Sequence, residues 1–263
     1  MRSKRVQLFV LIQVIGYSGM AAAQTQDQYL SRQSYLCAGG GGTATLPVSI
    51  AACTVVIEAG RKNPTDLAKT YSSRGFWHKV QGEHQRAISD YDEAIRLDPK
   101  NLSFYLRRGS AYHETSQYDR AVADFDEAIR IKSDDWVGYI VRGITYSTMG
   151  QHDRAIADFD EAIRLHADDY EAFVQRGITF SAMGQHARAI ADFDEAIRIN
   201  PEMREAYYNR GLAHDALGQR AQADADFAHL RRSPVAVGTR LTPRPPHRSE
   251  RALLTHSAPA LDV

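Results

Sequence analysis

The dipeptide Arg-Gly recurs at Arg74-Gly75, Arg108-Gly109, Arg142-Gly143, Arg176-Gly177 and Arg210-Gly211, each copy 34 residues after the last. Twelve residues beyond each glycine stands an alanine (Ala87, Ala121, Ala155, Ala189, Ala223), and four further on an aromatic ring (Tyr91, Phe125, Phe159, Phe193, Phe227). Three residues later come Ala94, Ala128, Ala162 and Ala196, with Leu230 in the last copy. A fixed period of this length is one supersecondary unit used repeatedly, and neighbouring copies must stack because none can bury its apolar face alone. Each copy holds two helical stretches, such as 170–183 and 187–199, joined by a turn at Gly184-Gln185. Glycine inside a helix costs about 1 kcal/mol relative to alanine. Its return at one phase therefore marks the close approach of another helix. The two alanines make matching room, and the aromatic ring fills the hole beside them.

These glycines, alanines and aromatics, with Pro99 and Pro201 closing two copies and AIADFDEAIR as the second helix, resemble the tetratricopeptide repeat (TPR) family. The resemblance implies an all-α solenoid, a right-handed superhelix of about five repeats at 68–101, 102–135, 136–169, 170–203 and 204–231. The chain departs from the family in placing Arg rather than the commoner Leu before each glycine, and its first and last repeats are degenerate. In the family the first helix of each repeat lines a concave binding face. By phase, that face here consists of Phe76, Lys79, Leu106, Ser110, His113, Ile140, Ile144, Ser147, Val174, Ile178, Ser181, Tyr208, Leu212 and Asp215. Its centre is apolar at Leu106, Ile140, Ile144, Val174 and Ile178, which suits a peptide with apolar anchors. Packing between helices is the other use for such residues.

Two charge patterns ride on the same lattice. Arg74/Asp90, Arg108/Asp124, Arg142/Asp158, Arg176/Asp192 and Arg210/Asp226 stand 16 apart, one partner on each helix of a repeat. An ion pair within each repeat explains them better than a ligand-binding stripe. Asp92/Arg96, Asp126/Arg130, Asp160/Arg164 and Asp194/Arg198 have the i, i+4 spacing of helix-surface pairs.

Outside the lattice the chain changes character. Arg2, Lys4 and Arg5 precede a short apolar run, Val6 to Ile15, and the small residues Ala21-Ala22-Ala23. That order reads as a secretory signal over residues 1–23, cleaved after Ala23, with the product periplasmic or secreted. The run is about half the ~20 apolar residues a membrane-spanning helix needs, so no stable insertion is expected after cleavage. Residues 24–67 form a Gly-rich segment and a capping helix, since residues 49–57 share the phase of AIADFDEAI with Cys53 at the aromatic position. In an oxidising compartment Cys37 and Cys53 are expected to form a disulfide; two buried free thiols or a redox pair are the alternatives. Residues 232–263 hold five of the nine prolines and lose the period, and they read as a disordered tail.

The formal charge of zero conceals a signal at +3, a tail at +3 and an array over residues 24–231 at −6. An acidic array argues against nucleic acid as the partner. No HExxH, GxSxG or GxxxxGK[ST] motif is present, so no catalytic residue, metal ligand or cofactor is assigned. His84, His152 and His186 occupy one turn phase in different repeats, separated by at least about 10 Å, too far apart to share a metal. The expectation is a non-enzymatic scaffold or adaptor binding an unknown protein or peptide. The alternative is a structural subunit of an envelope assembly that self-associates through its C-terminal end.

Overall fold

The computed structural model describes residues 25–40, 45–60 and 62–232, and among these it contains helices and no strands. The expected signal, residues 41–44 at the end of the glycine run and the tail beyond Arg232 lie outside the described residues. The chain divides after Pro99 into two compact units.

The N-terminal unit comprises α1 (residues 25–37), α2 (Leu46–Ala59), α3 (Pro64–Val80) and α4 (His84–Leu97). The expected lone capping helix is instead the second member of a helix pair. Helix α1 turns Leu30, Gln33, Ser34 and Cys37 inward at helical spacing. Cys37 and Cys53 are joined by a disulfide across 16 residues, the same separation as each glycine from its aromatic partner in the repeats. The bond thus occupies the place of the glycine–ring contact. Around it pack Leu36, Ala52 and Trp77, whose indole N–H donates to the Cys37 carbonyl at 2.8 Å.

The C-terminal unit comprises α5 (Leu102–Glu114), α6 (Tyr118–Ile131), α7 (Trp136–Thr148), α8 (His152–Leu165), α9 (Tyr170–Ala182), α10 (His186–Ile199), α11 (Arg204–Ala216) and α12 (Arg220–Arg232). Each helix packs on the next, and the first helices of successive repeats also touch: α5 on α7, α7 on α9, α9 on α11. A Cβ added at Gly109, Gly143, Gly177 or Gly211 would lie 2.5 to 2.8 Å from the ring of Phe125, Phe159, Phe193 or Phe227. In the N-terminal unit the same clash, at 2.9 Å, would join Gly75 to Tyr91. Ala87, Ala121, Ala155, Ala189 and Ala223 are buried beside these rings. Asp135 and Asp169 cap α7 and α9, accepting from the backbone N–H two residues on at 3.1 and 2.9 Å. Asp169 also accepts from the Trp136 indole at 2.8 Å and so ties the start of α7 to the cap of α9.

The Arg–Asp ladder forms within every repeat, for example Arg142 Nη2 to Asp158 Oδ1 at 2.7 Å. The i, i+4 pairs do not form. Arg130, Arg164 and Arg198 reach back three residues to Glu127, Glu161 and Glu195. Asp126, Asp160 and Asp194 are thereby released to accept from Arg142, Arg176 and Arg210 of the following repeat. Each of these arginines therefore holds two carboxylates and bridges two repeats. The aspartate of the same repeat (Asp158, Asp192, Asp226), held by two guanidinium nitrogens, does most to raise the guanidinium pKa above its ordinary value, partly opposed by burial and aided by the aspartate of the preceding repeat.

Candidate interaction surface

The first helices do not present the apolar centre expected of them. Leu106, Ile140 and Val174 are at most 1% exposed. They are core residues, not groove residues. Val174 packs in a cluster with Ala206 of the next repeat, and Ile140 with Ala172 of the next. Ile144 and Ile178 are half-buried against the same clusters. Adjacent first helices lie too close for a residue at this phase to reach solvent.

The polar residues beside them are largely engaged between repeats. His113 Nδ1 lies 3.0 Å from Thr145 Oγ1, which itself donates to the Val141 carbonyl. Ser147 repeats the contact with Thr179 at 3.1 Å. The ladder stops at Ser181, whose buried hydroxyl has no hydrogen-bond partner, because Ala213 stands at the threonine phase. Ser110 is half-buried and donates to the Leu106 carbonyl. In the N-terminal unit Phe76 and Lys79 are both half-buried, Phe76 edge-on to Trp77.

The last repeat differs. Tyr208 is 52% exposed and Leu212 46%, at the phases where Val174 and Ile178 are covered by the next repeat, and Asp215 is exposed beside them. Leu217, in the turn after α11, adds a third exposed apolar side chain. Sequence reasoning missed Leu217 because it sits in a turn, at the phase held by Thr115, Met149 and Met183. On α12 the pattern is reversed. Ile190 and Ile197 pack toward the following repeat, but one period later stand Asp224 and Arg231, both exposed.

Paired helices, glycine–ring contacts and alanine holes at one period are thus all present. Family models for the tetratricopeptide repeat match residues 78–135 and 138–169, and a TPR repeat model matches residues 179–218. The chain is a tetratricopeptide repeat protein. Among solved TPR structures it is similar to a tetratricopeptide repeat protein from Parabacteroides merdae, with TM-score 0.67, 19% identity and 81% of each chain covered. It is also similar to MamA, with TM-score 0.55, 23% identity, and 67% of this chain and 98% of that chain covered. A third likeness is to YrrB, described as a TPR protein with an unusual peptide-binding site; it has TM-score 0.51, 24% identity, and 67% and 89% coverage. These likenesses concern the TPR fold. A comparison with curated proteins returns no match. No helix among the described residues is long and apolar enough to cross a membrane, and no three His, Cys, Asp or Glu side chains among them converge as metal ligands.

Proposed function

We propose that this TPR protein is a non-catalytic interaction scaffold that receives a peptide or protein segment on the first helices of its C-terminal unit. Its anchor points are Tyr208 and Leu212, and the contact extends toward the half-buried Ile178 and Ser181. The observation that carries this reading is the exposure of two large apolar side chains, Tyr208 at a phase buried in every earlier repeat of the unit and Leu212 at one that is half-buried there. Tyr208 is of a residue type enriched at binding hot spots, and Leu212 one turn on extends the apolar area beside it. YrrB, whose description includes a peptide-binding site, lends the reading support by analogy of fold.

Stacking of a second copy onto the last repeat is less favourable. It would bury Asp224 and Arg231, where the inner repeats supply isoleucine, and taking charges out of water is costly. The basic, apolar and small-residue order of residues 1–23 and the Cys37–Cys53 disulfide support export to the periplasm or the outside.

A peptide array probed with the full chain tests the surface. Tyr208→Glu with Leu212→Glu is expected to weaken the selected peptides at least tenfold while leaving the melting temperature within a few degrees. Undiminished binding by that variant would remove the surface from consideration.

A further inference from the structure

In the N-terminal unit α2, α3 and α4 enclose an open pocket of about 420 Å³ that contains Arg74. Four departures from the repeat pattern meet there. Where Asp126 and Asp194 give Arg142 and Arg210 their second carboxylate at 2.6 Å, α2 presents Thr54. Thr54 follows Cys53 just as Asp126 follows Phe125, so the position corresponds although its residue is neutral. Arg74 keeps Asp90 at 2.7 Å and makes only a 3.2 Å hydrogen bond to the Thr54 hydroxyl in place of the second carboxylate. At the phase of Tyr146 and Phe180 stands the smaller His78, drawn to Glu83 at 2.6 Å. Arg154 and Arg188 lie on those rings at 4.0 and 3.9 Å and also donate to Gln151 and Gln185; at the phase of these glutamines stands Glu83, to which Arg86 donates at 2.9 Å. Ser89 replaces Ala157 and Ala191 and adds a hydroxyl to the wall.

We propose that this pocket binds a carboxylate, which takes the place on Arg74 that an aspartate occupies on Arg142, Arg176 and Arg210. The chemistry points to a single negative charge on a short hydrocarbon stem. Ile50 and the Tyr71 ring form the apolar wall. Asp90 and Glu93, the latter paired with Arg96 at 2.9 Å, line the pocket and oppose a multiply charged anion such as phosphate. The carboxylate can come from a free acid or from an acidic side chain of a partner. The pocket shares no residue with the Tyr208–Leu212 surface, so either can fail without the other.

The test is a nuclear magnetic resonance titration of the full chain with two probes, propionate and an acetylated, amidated Gly-Glu-Gly peptide, with sodium chloride matching the ionic strength. Saturable shifts of the Arg74 Nε–H and Thr54 resonances are expected from at least one probe. A response to propionate alone identifies a free acid as the source, and a response to the peptide alone identifies a side chain. Thr54→Asp supplies the carboxylate from within, so it is expected to weaken the response at least tenfold and to raise the melting temperature. His78→Tyr, which restores the ring of the other repeats and closes the pocket, is expected to abolish the response by a second route. No saturable shift with either probe, or affinity unchanged in both variants, would overturn the proposal.

Discussion

At four of the turns between paired helices a glycine adopts a left-handed backbone: Gly82, Gly150, Gly184 and Gly218, with φ between 72° and 80°. The second repeat places Ser116 there, at φ 60°. A side chain in this region costs about 1 kcal/mol that glycine does not incur. Ser116→Gly is therefore expected to raise the urea midpoint by an amount equivalent to about 1 kcal/mol, read by circular dichroism. The arginine before each glycine invites the opposite experiment. Arg176 holds the buried Asp192, and Arg176→Leu, which installs the family's commoner residue, leaves that carboxylate without its partner. The loss is expected to be about 3 kcal/mol, and Arg176→Leu with Asp192→Leu is expected to recover most of it. A double variant as unstable as the single would show that the pair is not what binds the helices. The sequence pattern already placed both partners of this pair, because every repeat supplies both. It did not show that Asp160 bridges from the previous repeat, since a surface aspartate with an arginine four residues on satisfies a helix rule equally well.

Between helices, the closeness of the first helices decides which residues reach solvent. A helical phase tells which side of a helix a residue faces, not what stands opposite. Leu106, Ile140 and Val174 met the phase of a groove and became core; at Ile140 and Val174 it is Ala172 and Ala206 that bring the next helix against them. The alanines were visible in the sequence, but their register against the preceding helix was not. The same limit concealed α1, whose short run of Leu30, Leu36 and Cys37 carries little amphipathic signal until the disulfide and Trp77 give it a surface to cover. On the outer faces of α6, α8 and α10, the hydrogen bond from Arg130, Arg164 or Arg198 holds the carboxyl of Glu127, Glu161 or Glu195 below its ordinary 4.5. A lowered folded value means that the stability from each pair is present above about pH 4.5 and lost as pH falls through the folded value. Wild-type protein should therefore lose more melting temperature between about pH 5 and pH 3 than Glu127→Gln/Glu161→Gln/Glu195→Gln. Equal losses would contradict the assignment. These exposed pairs add little each.

For the molecule as a whole, the period of 34 made the repeats legible, since glycine, alanine and ring recur together. The two ends were legible only in part, because there the lattice is broken: the Cys37–Cys53 disulfide and Cys53 at the aromatic phase were expected, but α1 and the polar face of α12 were not. At one end a disulfide stands where a glycine meets a ring. At the other, Asp224 and Arg231 replace isoleucines on α12 while α11 keeps Tyr208 and Leu212 apolar. Among the described residues the last repeat pairs one polar and one apolar helix, and recognition is placed on the apolar one. Hydrogen–deuterium exchange of the full chain, with and without the strongest peptide from the array, tests this most directly. The account predicts that added protection is greatest over 204–217, extending into α9. Protection confined to other helices, or none there at saturating peptide, would contradict it.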